Sequence, residues 1–285
     1  MIYKRLDNLG MLFAVAFIFA VGCAASFRYT KEFCETYSVK PGTTISVYNR
    51  NGDIDISKWD KDEIEVRAEI TSNRGKGELD KVEIEVSTDG DMEIRTKYLK
   101  KRARVSVDYE IKVPANVIVG RLESSNGRLD LVGTKGPSVL KTSNGRIDVE
   151  DAEGDIDAET SNGRIEIENV SGYVNARTSN GRIKITGTAG ISRIRTSNGR
   201  IKVEIPDIKG DEVEIKTSNG SVDVYISPDL NADIELDTSN GKISLHDIKL
   251  EVSELKKTYV RGKLGEGGVK ISVDTSNGNI KLYKL

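Results

Sequence analysis

The chain contains no glutamine, a single histidine (His246), a single tryptophan and only two cysteines, Cys23 and Cys34. One histidine leaves no histidine cluster for zinc and no second imidazole base. Two cysteines cannot form a disulfide framework. An excess of charge of one sign is lacking too. The 43 basic and 45 acidic residues leave a formal net charge of −2, which argues against a dedicated nucleic-acid binder. No P-loop, dinucleotide fingerprint or nucleophile elbow occurs, so no cofactor is expected.

The one long apolar run is at the start. Lys4 and Arg5 precede Leu9 to Val21, a stretch too short for a comfortable membrane span. It closes on Ala20-Val21-Gly22-Cys23, which resembles a bacterial lipoprotein cleavage box, although Asp7 and Ala20 depart from the commonest pattern. The resemblance implies a signal peptide over 1–22, a lipid on the thiol of Cys23 and a linker over 23–34. It implies a cell-envelope protein anchored to the membrane by lipid, facing the periplasm or exterior. Cys34 is then left unpaired; without lipidation the two cysteines could form a disulfide.

What is abundant is a repeated tetrapeptide. Thr-Ser-Asn-Gly, or Ser-Ser-Asn-Gly in the first case, places Asn126-Gly127, Asn144-Gly145, Asn162-Gly163, Asn180-Gly181, Asn198-Gly199, Asn219-Gly220, Asn240-Gly241 and Asn277-Gly278 at turns. The first five glycines are 18 residues apart, the next two steps are 21, and the last is 37. A fixed period of this size marks a repeat architecture.

Each 18-residue unit divides in two, because Gly136, Gly154, Gly172 and Gly190 fall nine residues after a turn glycine. Short alternating runs follow each glycine, the pattern of half-buried strands. Leu129/Leu131, Ile147/Val149, Ile165/Ile167, Ile183/Ile185 and Ile201/Val203 form one inward set. Ile156/Ala158, Val174/Ala176 and Ile194 with Thr196 form the other. A three-sided coil of six-residue steps fails, because counting from Ile147 reaches Glu153 and Glu159. An antiparallel meander remains a rival, since Asn-Gly is also a hairpin signal. Identity recurring at 18 rather than 9 favours a parallel stack. The expected fold is all-β: a parallel β-solenoid or β-roll-like stack of 18–21-residue two-strand coils over 123–285. Residues 35–122 alternate strongly without the tetrapeptide and are expected to start or cap it. Asn51-Gly52 marks a degenerate first repeat. An insertion at about 250–268 is expected to be a protruding hairpin or short helix.

These features together resemble the adhesin-labelled family called domain of unknown function 4097. The residues that carry it are VKPGTTISVYNRNGDIDISKWDKDEIEV, the VPANVIV segment, the TSNG series and the closing GEGGVKISVDTSNGNIKLY, across roughly residues 35–285. The resemblance implies an envelope-associated β-repeat protein without an established catalytic site.

Two columns are candidates for function. The tetrapeptide reads first as turn chemistry, with Asn and Gly tolerating positive φ, and second as a polar edge for glycan or ice. The arginine column, Arg128, Arg146, Arg164, Arg182 and Arg200, should stack on one outer face, with Arg193 and Arg195 on the other. Acids flank its early members, so ion-pair ladders are the simplest reading. Toward Lys184 and Lys202 the flank turns basic, which suits an anionic glycan or lipid headgroups. The expected function is a non-catalytic envelope scaffold whose partner is a glycan, the cell wall or an envelope protein. The ligand face would comprise Arg146, Arg164, Arg182, Arg193, Arg195 and Arg200. The alternatives are an enzyme acting on envelope polysaccharide near 250–268 and a purely structural component.

Overall fold

Alternating residues force each repeat into two short strands. The structure, a computed structural model, describes residues 28–285. The expected signal peptide and Cys23 lie outside the described residues. Among those described, no helix is long and apolar enough to cross a membrane. The fold is all-β, with a 3-10 helix at Lys76–Lys81.

Strand Ile147–Glu150 lies parallel to Leu129–Val132 on one side and to the start of Ile165–Arg177 on the other. Ile147 sits opposite both Leu129 and Ile165. The second run of the repeat behaves in the same way, with Leu140 opposite Ala158 and Thr142 opposite Thr160. Residues 18 apart are therefore neighbours in parallel register, a solenoid-like stack rather than a meander.

Two ladders result, named here for the side chains that mark them. The arginine ladder runs Tyr29–Ser38, Glu63–Ser72, Ser106–Pro114, Ile54–Trp59, Leu129–Val132 and Ile147–Glu150. It continues through the first parts of Ile165–Arg177 and Ile183–Asn198 to Ile201–Ile205, Val222–Ile226, Ile280–Lys284 and Ile243–His246. The threonine ladder runs Val82–Ser87, Met92–Tyr98, Thr44–Tyr48, Ile118–Ser124, Ser138–Thr142 and Ile156–Thr160. It continues through the later parts of the same two long strands to Glu212–Asn219, Val269–Asn277, Ala232–Thr238, Tyr259–Leu264 and Glu251–Leu255. The dry faces meet in one core, in which Ile147, Ile165, Ile183, Ile201, Val174 and Ile194 are buried. Burying each such side chain contributes roughly 1.5–3 kcal/mol.

The tetrapeptide has a structural account that differs from the expected one. At Gly145 an added Cβ would lie 1.8 Å from the carbonyl oxygen of Gly127, and at Gly163 it would lie 1.9 Å from that of Gly145. Neither residue has a positive φ. Close axial stacking of backbones, not a left-handed turn, therefore selects glycine here. The buried threonine three residues earlier donates to the glycine carbonyl of the preceding rung: Thr160 to Gly145 at 2.9 Å and Thr178 to Gly163 at 3.0 Å. Each asparagine donates through Nδ2 to Oδ1 of its neighbour, as Asn162 does to Asn144 at 2.9 Å. The asparagine ladder continues in space from Asn51 through Asn126 to Asn198, Asn219, Asn277 and finally Asn240.

That last order corrects the sequence reading. The rung holding Asn277 lies between those holding Asn219 and Asn240, because strands Val269–Asn277 and Ile280–Lys284 slot between two earlier pairs. The proximal end has a matching departure: Thr44–Tyr48 lies between Met92–Tyr98 and Ile118–Ser124. Antiparallel pairing is confined to strands near the two ends.

Two further expectations are revised. Tyr29–Ser38, placed largely in the 23–34 linker, is a strand antiparallel to Glu63–Ser72, with Phe33 and Tyr37 packed on the core. Its pairing covers what would be a bare sheet edge. Cys34, on this strand, is exposed and has no disulfide partner among the described residues. The insertion is a hairpin, Glu251–Leu255 with Tyr259–Leu264, and it does not simply protrude. Its second strand pairs with Ala232–Thr238 and buries Val260 and Leu264 over the distal edge.

Candidate interaction face

The outward side of the arginine ladder carries two adjacent columns of charge, set by alternation along each strand. One follows the turn glycine: Arg128, Arg146, Arg164, Arg182 and Arg200. The other lies two residues further on: Asp130, Asp148, Glu166, Lys184 and Lys202. Rungs are about 4.8 Å apart, so bare like charges in one column would repel.

In the proximal half every arginine of the column is paired. Arg128 meets Asp55 at 2.9 Å and Asp130 at 2.8 Å. Arg146 meets Asp148 at 2.8 Å, and Arg164 bridges Asp148 and Glu166 at 3.6 Å each. Lys184 reaches back to Glu166 at 3.0 Å and also to Glu168. Its hydrogen bond to Glu166 holds that carboxyl below the usual range. Burial pushes the Asp130 carboxyl up to about 6 against the pull of Arg128, with Asp55 and Asp148 adding to the rise.

Beyond Lys184 the pairing stops. Among the described residues, Arg182, Arg200, Lys202 and Lys281 have no ion-pair partner, and Arg200 Nε donates only to Ser221 Oγ at 3.0 Å. Asp223, between Lys202 and Lys281 in register, is likewise outside any ion pair. Five residues after their turn glycines stand Tyr225, Tyr283 and His246, on three successive rungs. Their rings stack, with centroids 4.7 Å apart for each pair and planes within 12° and 13° of parallel. The Lys202 ammonium lies over the Tyr225 ring, 5.1 Å from its centroid.

The family model described as Toastrack DUF4097 matches residues 42–283. The chain belongs to this family. No curated protein matches it. Several solved structures resemble it at low identity. A "putative adhesin" of Bacteroides fragilis is 10% identical, with a TM-score of 0.49, covering 90% of this chain and 97% of that one. A "putative cell adhesion protein" of Clostridium sporogenes is 12% identical, with a TM-score of 0.27 and coverages of 90% and 100%. A "putative lipid binding protein" of Parabacteroides distasonis is 14% identical, with a TM-score of 0.39 and coverages of 89% and 96%.

The six arginines named from sequence do not form one site in this Toastrack chain. Arg146 and Arg164 belong to the paired half of the arginine ladder, Arg182 and Arg200 to its unpaired half. Arg193 and Arg195 lie on the threonine ladder, where both contact Glu214, Arg193 at 3.5 Å. The hydrogen bond from Arg195 holds the Glu214 carboxyl low. The aromatic column escaped the sequence reading, although the signal was present: position five after the turn glycine is Tyr, His and Tyr in the last three repeats. Among the described residues, no group of three or more His, Cys, Asp or Glu side chains is placed to hold a metal ion.

Proposed function

We propose that the chain is a non-catalytic envelope lipoprotein, a rigid solenoid scaffold that holds a partner on the distal half of its arginine-ladder face. The observation that carries this reading is the run of unpaired cations, Arg182, Arg200, Lys202 and Lys281, on a face whose proximal half pairs its arginines. Like charges left side by side cost stability, and a partner of opposite charge offsets that cost. Stacked strands on a single core supply rigidity, so binding such a partner costs little ordering of the face. On this reading 18–21-residue two-strand coils build the face, and residues 35–122 cap the stack. Cys23 tethers the whole by lipid, and the partner is an envelope glycan, wall polymer or envelope protein. The lone histidine, stacked on Tyr283, and carboxylates engaged in ion pairs fit a binding role better than catalysis.

The test has two parts. Cys23→Ser is expected to move the protein from the membrane to the soluble fraction; continued membrane association would remove the anchor from the proposal. The released protein is then applied to an array of glycans and wall polymers, alone and with Arg182→Gln and Arg200→Gln. A specific hit weakened by the pair places binding on the distal face. A hit unaffected by them, or glycan cleavage by the purified protein, would overturn the reading.

A further inference from the structure

The column of Tyr225, Tyr283 and His246 differs from every other outward column of the ladder, and it has no role in the fold that the repeat requires. Elsewhere the same position holds Val132, Glu150, Glu168, Thr186 and Glu204, the last of which accepts a hydrogen bond from the Gly187 amide. The rings cover one another's faces, so what they present outward is their edges and polar atoms. The hydroxyls of Tyr109, Tyr173 and Tyr259 find protein partners, whereas those of Tyr225 and Tyr283 find none among the described residues. Neither is a buried orphan, so both are open to an outside partner. Beside them runs the column Lys202, Asp223, Lys281, in which cations alternate with an acid from rung to rung.

We propose that this strip binds an acidic polysaccharide laid along the fold axis, one whose carboxylates are separated by neutral sugars. The inference rests on the reading of the distal face as an interaction surface and names its ligand class. Lys202 and Lys281 are two rungs apart, about 10 Å, and each meets one carboxylate. Asp223 between them repels a charge on every sugar but accepts hydrogen bonds from the hydroxyls of a neutral one. The two phenols and the His246 edge supply further hydrogen bonds at the rung spacing. Arg200 adds a cation at the proximal border of the strip. A fixed ladder of donors and cations suits a regular extended polymer better than a compact anion, because polymer and ladder repeat in the same direction.

The experiment is isothermal titration of the full chain with hyaluronan, in which acidic and neutral sugars alternate. Dextran serves as the neutral polymer and phosphatidylglycerol vesicles as the anionic surface. Hyaluronan is expected to bind and dextran to be ignored. Lys202→Gln with Lys281→Gln should weaken hyaluronan binding about tenfold, the size two exposed ion pairs support. Tyr225→Phe with Tyr283→Phe keeps the ring stack and removes only the hydroxyls. It should weaken binding about threefold with an unchanged melting temperature. Equal binding of dextran, binding of vesicles alone, or a Lys202/Lys281 variant with full affinity would overturn the proposal. If Arg182→Gln with Arg200→Gln abolishes binding while the lysine pair does not, the strip is wrong and the distal face stands. If no glycan, wall polymer or envelope protein binds at all, both readings fall.

Discussion

The two halves of the arginine-ladder face share a backbone and differ in their outward charges. In both, a buried threonine caps the glycine carbonyl of the rung before, asparagines chain through their amides, and aliphatic side chains fill the core. Those positions are committed to the lattice. The outward columns are not, so their charges are read separately from the fold. Arg128, Arg146 and Arg164 alternate with carboxylates that neutralise them; Arg182 and Arg200 do not. One half is a zipper of ion pairs and the other a cationic strip beside an aromatic column. The difference teaches that the repeat alone does not dictate the strip.

The sharpest way to break the comparison is to unmake the distal half. Ending the chain after Gly268 removes the rung between the strands Val222–Ile226 and Ile243–His246, and with it the buried Ile271, Val273, Ile280 and Leu282. At roughly 1.5–3 kcal/mol each, the loss rivals the whole stability of an ordinary domain. Stacked repeats contact only their neighbours, so we expect damage to be local. Amide exchange should lose protection over 201–264 and retain it over 129–167. Uniform loss across the chain would mean that the halves are one cooperative unit.

A smaller but equally firm effect should ignore the difference between the halves. Gly163→Ala and Gly199→Ala each place a Cβ 1.9 Å from the carbonyl oxygen of the glycine one rung before. Rungs must part to accommodate it, and we expect each change to cost about 3 kcal/mol or more in urea denaturation. A large disparity between the two would show that the lattices differ, not only the charges on them.

Much of this was legible in the chain. The 18-residue identity selected parallel stacking, and alternation identified Ile147, Ile165 and Ile183 as core. The order of the distal rungs was not legible. Asn219, Asn240 and Asn277 carry the same turn, and nothing local states that the last lies between the other two. That order follows from long-range pairing: the hairpin at 251–264 occupies the outer edge of the 232–238 strand, and the chain returns on its inner side. The same return brings Tyr283 between Tyr225 and His246, so the aromatic stack depends on topology as well as spacing. The turn glycines were read as positive-φ positions, whereas close backbone approach selects Gly145 and Gly163, and proximity across 18 residues is invisible in a four-residue motif.

Acidity separates the halves on a finer scale. Asp130 carries a carboxyl pushed up to about 6, so the folded chain holds a proton that the unfolded chain releases nearer 3.8. Its contribution to stability is therefore greatest below about pH 4 and declines as pH rises through 6. Asp130→Asn should remove that decline and gain about 1–2 kcal/mol relative to the parent between pH 4 and 7. Denaturation midpoints at those two pH values check it; a variant that keeps the parent's slope would show that Arg128 and its acids compensate one another fully.

The smallest expected effect is the most direct comparison of the two strips. Arg128→Gln leaves Asp53, Asp55 and Asp130 facing one another without their shared cation, and should cost about 1 kcal/mol at low salt. Arg182→Gln removes a charge that has no acid partner among the described residues and sits one rung from Arg200, so stability should stay within about 0.5 kcal/mol or rise slightly. Added salt should shrink the first effect, because screening weakens the ion pairs that Arg128 makes. It should also shrink any gain in the second, because screening weakens the repulsion that Arg182 suffers. A cost at Arg182 as large as that at Arg128 would mean that its charge supports the fold, and the cationic strip would lose its claim to be free for a partner.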